Sequence, residues 1–324
     1  MTMRTIEQAG ELKGKTVFMR ADFDVPVVNG SIGEPFRIQR QKENLDYLTG
    51  HGARVVIGSH ITSAPSFEPL KPQLEQLLGV TFGNGVTLLE NTRQSPGEEA
   101  NDETFAHTLV LGCDIYVNNA FAVCHRAHAS VVAAAQLLPA YAGLLVAQET
   151  ANLSRVVDAP AEGKVIFIGG AKASTKMPVI EHLLDKADAI ALGGVVANEM
   201  SAPTDARIRV PSDFVTDGGP ALDIGPETAK VYAGLAANAT MIIWNGPMGK
   251  FEDPRYLPGT RALAEAVASS HAFSVIGGGD TIAAITKLNI PLEKFGFVST
   301  GGGAMLDFLA GERMPGLEAL GYYP

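Results

Sequence analysis

The feature that most restricts how this chain can fold is a repeating unit: a short apolar, β-prone run, then a loop, then a helical stretch. Runs at 16–20, 54–58, 86–89 and 114–117 predict strands in the first half, with a helical stretch at 39–48. Runs at 164–168, 189–192, 241–244, 273–276 and 295–298 predict strands in the second half, with a helical stretch from Ile282 to Leu288. A strand that is apolar on both sides needs both faces covered, which a parallel sheet between helices provides. The expected class is therefore α/β, with doubly wound, mostly parallel sheets. A chain of 324 residues has room for about two such domains, and it turns polar between Glu149 and Gly163. This sets the expected domains at 1–150 and 151–310.

Charge and cysteine content exclude several kinds of function. With 35 acidic against 25 basic residues and a net charge of −10, the chain suits a nucleic-acid backbone poorly. An anionic substrate would have to be drawn in by a local basic patch. Cys113 and Cys124 form neither a CxxC pair nor a disulfide framework, as expected in the reducing cytoplasm. The first residues lack the apolar core of a signal peptide. The stretch from Ala129 to Ala147 is uncharged, but it contains Gln136 and Pro139. It predicts a buried helix followed by a turn rather than a membrane span.

In doubly wound sheets function gathers at the carboxyl ends of the strands. In the second half those ends read Gly169-Gly170-Ala171-Lys172-Ala173-Ser174-Thr175-Lys176, Gly277-Gly278-Gly279-Asp280-Thr281 and Ser299-Thr300-Gly301-Gly302-Gly303-Ala304. Glycine lets a ligand approach the backbone, and a following helix offers unpaired N–H groups and a positive dipole end. One such loop is equally well explained as a tight turn. Three of them, one with two lysines, point to a polyphosphate. Neither GxxxxGK[ST] nor GxGxxG occurs at a strand end, which argues against a P-loop or an ordinary dinucleotide fold. Lys172 and Lys176 are four residues apart where a helix opens and would face the same way. Asp280 is placed to meet magnesium carried by the nucleotide.

The first half ends its strands in charge. Asp22 and Asp24, flanking Phe23, would share a face if their strand continued. Ser59-His60, Glu90-Asn91-Thr92-Arg93 and His125-Arg126-Ala127-His128 close the next strands. With Arg37 these groups could converge on one small anion. For Arg37 or Arg93 alone, a solvated or salt-bridged side chain serves as well. The histidines beside Cys124 could also hold a metal, but no second ligand cluster stands at metal spacing.

Taken together, these motifs resemble the phosphoglycerate kinase family, in order and over most of the chain. The resemblance is carried by Arg20-Ala21-Asp22-Phe23-Asp24-Val25-Pro26, Arg37-Ile38, Ser59-His60, Leu88-Leu89-Glu90-Asn91-Thr92-Arg93, Pro96-Gly97-Glu98-Glu99 and His125-Arg126-Ala127-His128-Ala129-Ser130. It continues in Gly169-Gly170-Ala171-Lys172, Asp223-Ile224-Gly225-Pro226, Trp244-Asn245-Gly246-Pro247-Met248-Gly249 and the two later glycine loops. The resemblance implies two Rossmann-like domains joined by a hinge, with residues 311–324 returning to the first. That first domain would hold the acid and the second a magnesium nucleotide, ATP or ADP. Arg37 and Lys172 would flank the transferred phosphoryl group. Asp22, Phe23, Asp24, Arg37, His60, Arg93 and Arg126 would bind the acid. Lys176, Glu252, Gly278, Gly279, Asp280 and Thr281 would hold the nucleotide and its metal. A cytoplasmic monomer is expected, with no nucleic-acid or membrane partner.

Several positions depart from the family pattern. Ile61-Thr62-Ser63-Ala64 stands where the family has Leu-Gly-Arg-Pro, which removes an arginine, and Asp24 stands for an asparagine. Asn118-Asn119-Ala120-Phe121-Ala122 replaces Asn-Asp-Ala-Phe-Gly, with Val123 and Cys124 following. The chain is also shorter between Ile61 and Val86 and between Val195 and Leu222. Three readings follow: transfer from ATP to 3-phosphoglycerate, a divergent kinase for another carboxylate, and a silent binding relative. Keeping Arg37, Lys172, Lys176 and Asp280 together favours an enzyme. If Lys172 stabilises the migrating group, Lys172→Ala lowers turnover about a hundredfold or more. Near-normal turnover of the purified variant contradicts that role.

Overall fold

A computed structural model describes residues 3–171, 173–200, 203 and 205–323. The chain divides into two compact units, one of Met1–Thr150 with Arg313–Pro324 and one of Ala151–Glu312.

The first unit is built on β1 (Thr16–Arg20), β2 (Arg54–Gly58), β3 (Val86–Leu88), β4 (Ile115–Asn118) and β5 (Ala140–Ala142). All pair in parallel, in the order β3-β2-β1-β4-β5. Val17, Phe18 and Met19 of the central strand have no exposed surface, as an apolar run covered on both faces requires. Helices α1 (Lys42–Gly50) and α2 (Lys71–Leu78) bury Leu45, Leu48, Leu74 and Leu78. The strand order reverses between β1 and β4, which opens a crevice at their carboxyl ends. One expectation needs correction: the uncharged stretch before residue 147 is not a helix followed by a turn. It forms a short helix, Ala133–Leu137, and then β5 at the sheet edge. Pro139 breaks the helix, and its carbonyl accepts from Tyr116 N–H, which starts the new ladder.

The C-terminal helix Pro315–Ala319 belongs to this unit. Met314 and Leu317 are fully buried, and Gly316 N–H donates to the Cys124 carbonyl at 2.8 Å. A Cβ at residue 316 would lie 2.7 Å from Val131 Cγ1 and 2.9 Å from Cys124 Cα. Only glycine lets the tail sit this close.

In the second unit, β6 (Lys164–Ile168), β7 (Ala189–Leu192), β8 (Ile208–Arg209), β9 (Met241–Asn245), β10 (Phe273–Gly277) and β11 (Phe297–Ser299) form one parallel sheet. Their order is β8-β7-β6-β9-β10-β11, reversing between β6 and β9. The chain then enters α4 (Ala173–Leu183) after β6 and α7 (Gly279–Lys287) after β10, while α3 (Leu144–Asp158), α5 (Pro226–Asn238) and α6 (Pro258–Ser269) complete the longer helices. α3 contains the point where the two units divide.

Glycines at the strand ends of this unit are of two kinds. A Cβ on Gly169 would overlap the Pro247 carbonyl, and one on Gly246 the Gly169 carbonyl. These residues let the loops after β6 and β9 pack backbone on backbone. Gly279, by contrast, faces open space. Gly169→Ala should therefore cost about 3 kcal/mol or more through overpacking, whereas Gly279→Ala stays within about 1 kcal/mol. Denaturant midpoints of the two variants check this, and equal midpoints contradict it.

Candidate active site

In the first unit the crevice starts with Arg20, the last residue of β1. Its guanidinium has no exposed surface, and each of its three nitrogens has a partner. Nε donates to Ser130 Oγ at 2.7 Å, Nη1 to the Ala21 carbonyl, and Nη2 to His60 Nδ1 at 3.0 Å. A guanidinium only donates, so Nδ1 of His60 must accept. The ring is therefore neutral and carries its proton on Nε2, which lies 3.3 Å from Asp24 Oδ2. Burial, first of all, and the Arg20 charge push the His60 pKa below its usual 6.5, although Asp24 pulls the other way.

Asp22 and Asp24 do not share a strand face, because β1 ends at Arg20 and the chain turns. The turn is closed by Asp24 N–H donating to Asp22 Oδ1 at 3.1 Å. Phe23 between them is a core residue in edge contact with Phe67, not a surface contact for a ligand. Asp22 is 1% exposed, and its Oδ2 has no hydrogen-bond partner, with Arg37 Nη1 3.6 Å away. Arg37 Nη1 also donates to the Asp24 carbonyl at 3.2 Å. Asp24 is 29% exposed and accepts from Thr62 N–H at 2.8 Å. Burial raises its pKa, but the His60 and Thr62 bonds outweigh that and hold the carboxyl well below the usual range.

Arg93 Nη1 donates to Thr62 Oγ1 at 3.1 Å, its Nε lies 3.5 Å from Glu99 Oε1, and its Nη2 is buried without a hydrogen-bond partner. Arg126 Nε donates to His125 Nε2 at 3.1 Å. Burial and the nearby Arg93 charge lower the Arg126 pKa, so the two guanidinium groups face one another's field. The crevice thus collects Asp22, Asp24, Arg37, His60, Arg93 and Arg126 at the ends of four strands. Cys124 is no metal ligand in waiting: it is buried and its thiol is pushed up to about 12. No group of three metal-ligating side chains occurs among the described residues.

Sequence reasoning passed over Arg20, Glu98, Ser130 and Thr62 as site residues. Arg20 could have been found as the one charge in an apolar strand, since a buried cation must have partners. Glu98, fully buried, accepts from Ser130 Oγ at 2.5 Å and Ser130 N–H at 2.9 Å.

In the second unit, Lys172 lies outside the described residues. Lys176, in α4, donates from Nζ to the carbonyls of Gly169 and Asn245, the ends of the strands that flank the switch point. The first rung of α7 runs from Ile282 N–H to the Gly278 carbonyl, so the amides of Gly279, Asp280 and Thr281 precede the ladder. Gly278 sits at φ 98°, a backbone shape that favours glycine. Asp280 is exposed and makes no ion pair with a described residue. Thr281 is fully buried; its hydroxyl donates to the Gly277 carbonyl at 2.8 Å and accepts from Gly246 N–H at 2.7 Å. Only its backbone faces the helix mouth. Glu252 is not drawn to that mouth by its backbone: its carbonyl accepts from Lys287 Nζ at 2.7 Å, at the far end of α7. Asp223 of the Asp-Ile-Gly-Pro motif is a buried bracket, accepting from Ile224 and Gly259 N–H. Burial pushes its carboxyl up to about 6.

A crevice lined by arginines in one doubly wound unit and a glycine-opened helix N-terminus in another define a two-unit α/β protein whose sites suit anionic ligands. The family model for phosphoglycerate kinase matches residues 6–208 and 199–312. The phosphoglycerate kinases of Moorella thermoacetica and Roseiflexus castenholzii are each 36% identical to it, covering 96% and 99% of this chain and 97% and 99% of their own. The solved structure of phosphoglycerate kinase from Pyrococcus horikoshii OT3 matches with a TM-score of 0.89 at 30% identity, covering 99% of both chains. That from Coxiella burnetii gives 0.81 at 33%, over 98% of this chain and 99% of its own. The chain belongs to the phosphoglycerate kinase family. The Roseiflexus alignment runs over 394 positions against 324 residues here, so relatives carry segments that this chain lacks.

The Arg20 contact makes a direct prediction for His60. Its ring should titrate below 6.5 and hold the Nε2–H tautomer, as read by ¹⁵N NMR. Because the unfolded ring takes up its proton first as pH falls, the contribution is full above about 6.5 and is lost below it. A ring that titrates above 6.5, or one protonated on Nδ1, contradicts the assignment.

Proposed function

We propose that this chain transfers the γ-phosphoryl group of a magnesium nucleotide, reversibly, to the carboxylate of an acid, with 3-phosphoglycerate as the reference acceptor. The first unit takes the acid and the second takes ATP or ADP. The reading includes a monomer working in the cytoplasm, and no described helix is long and apolar enough to cross a membrane.

The observation that carries the proposal is the Asp22–Arg37 pair. A fully buried carboxylate oxygen without a donor leaves a polar group unsatisfied, which is costly unless a ligand completes it. A hydroxyl next to the acceptor's carboxylate would donate to Asp22 Oδ2 and leave the carboxylate to Arg37.

A carboxylate with a pKa of about 4 is already ionised at neutral pH, so its attack on phosphorus needs no general base. What the reaction needs is positioning, and neutralisation of charge between two anions that repel. Arg37 and Lys172 are assigned that task. The early amides of α7 would bind phosphate oxygens. Asp280 offers an exposed oxygen ligand of the kind magnesium prefers, and the ion would arrive with the nucleotide and reduce its phosphate charge. Lys176 would act from the loop that its ammonium holds together. Excluding water would protect an acyl phosphate product from hydrolysis.

The test is turnover of Mg-ATP with a panel of carboxylic acids, trapping the acyl phosphate with hydroxylamine. Acid-dependent hydroxamate supports the reading; ADP release that is independent of any acid contradicts it. Asp22→Asn should raise the acceptor KM about tenfold or more and leave the nucleotide KM unchanged. Equal changes in both would point to a folding defect instead.

A further inference from the structure

Glu98 lies in the short helix Pro96–Glu99, and its side chain has no exposed surface. A carboxylate withdrawn from water needs donors on both oxygens. Oε1 accepts from Thr92 Oγ1 at 3.2 Å and from Ser130 Oγ at 2.5 Å, and Oε2 accepts from Ser130 N–H at 2.9 Å. The Glu98 carbonyl accepts from Ala129 N–H at 2.8 Å. The Ser130 and Ala129 bonds join the segment after β3 to the loop after β4, and the Thr92 bond fixes the residue next to Arg93.

Those segments carry cations of the crevice. Arg93 follows Thr92 directly, and Arg126 stands four residues before Ser130. Arg93 Nη2 is buried without a hydrogen-bond partner, so the clamp presents a donor that the fold leaves for a ligand. Arg93 and Arg126 repel one another, and a buried anion bonded to both segments offsets that repulsion. Ser130 Oγ accepts from Arg20 Nε at 2.7 Å while giving its one proton to Glu98, and Arg20 Nη2 reaches His60 Nδ1. The Glu98 carboxylate therefore stands one hydroxyl away from the Arg20 guanidinium.

We infer that Glu98 is a positioning residue of the acceptor site: buried out of reach of the substrate, it sets the spacing of Arg93 and Arg126 and, through Ser130, the seat of Arg20 behind His60. The inference rests on the carboxylate-kinase reading of the same crevice. In Glu98→Gln one oxygen becomes a donor, so either Ser130 N–H or the two hydroxyls lose their acceptor, and the charge opposite Arg20 is gone. The loss belongs in the KM of the acid, because on that reading the nucleotide sits in the other unit.

The experiment measures KM for 3-phosphoglycerate and for Mg-ATP, with unfolding midpoints, on the wild type, Glu98→Gln, Ser130→Ala and Asn101→Gly. Asn101 joins the same two segments, accepting from Ala133 N–H at 3.1 Å where the helix Ala133–Leu137 starts, and its φ of 51° suits glycine. That variant is the control for lost stability alone: its midpoint should fall while both KM values stay within about twofold. Glu98→Gln should raise the 3-phosphoglycerate KM about tenfold or more and leave the Mg-ATP KM within about twofold. Ser130→Ala keeps the N–H and removes only the hydroxyl, and should raise the same KM about fivefold. An unchanged 3-phosphoglycerate KM in Glu98→Gln, an equal rise in its Mg-ATP KM, or an equal rise in Asn101→Gly overturns the inference and leaves the kinase reading intact. Should Glu98→Gln fail to fold, Ser130→Ala decides by the same comparison. Hydroxamate from no acid with the wild type overturns the kinase reading and this inference with it.

Discussion

A guanidinium without exposed surface at the end of a central strand is the constraint on which the acceptor crevice depends. Stripping water from a cation is tolerable only when its donors find acceptors, and leaving such a buried group without a partner costs about 1–3 kcal/mol or more. Arg20 finds an acceptor at each of its three nitrogens, in Ser130, the Ala21 carbonyl and His60. In doing so it fixes the histidine's tautomer, the loop that carries Arg126, and, through Ser130, the buried Glu98. The chain of contacts from Glu98 through Ser130 and Arg20 to His60 thus links the loops that follow three strands of the sheet.

Much of the fold was legible in the sequence, because a strand covered on both faces must be apolar throughout. Val165 to Ile168 and Ile242 to Trp244 carry that signal without ambiguity. Ala140–Ala142 carried none: it is short, rich in alanine, and belongs to the sheet only because Pro139 ends the helix before it. The two residues of β8 are likewise too few to show a period. At the site, motif order located the charged residues, but pattern alone could not say which of them were already engaged. Thr281 and Phe23 look exposed to a ligand in the sequence, yet both are consumed by the fold. Nothing in the sequence around Glu98 marks it as buried, and only the three-dimensional path of Ser130 reveals why it is.

The glycines of the second unit separate in the same way. Gly169 and Gly246 are needed because two loops cross at the switch point with no room for a Cβ, which is a packing requirement. Gly279 meets nothing, and its openness leaves the first amides of a helix accessible, which is what a phosphate needs. Sequence cannot distinguish a glycine that fills from one that opens; the neighbours decide. A shortened chain that keeps both kinds, and keeps the charged crevice, retains the elements of a reaction whose main difficulty is bringing two anions together.

The most direct measurement follows the atoms. An acceptor acid labelled with ¹⁸O in its carboxylate is turned over with Mg-ATP in the presence of hydroxylamine. Hydroxylamine attacks the acyl carbon and expels phosphate with the bridging oxygen. Transfer to the carboxylate places one ¹⁸O in each released phosphate, visible as an isotope shift in the ³¹P spectrum. Phosphate without label would mean that water, and not the acid, had received the phosphoryl group.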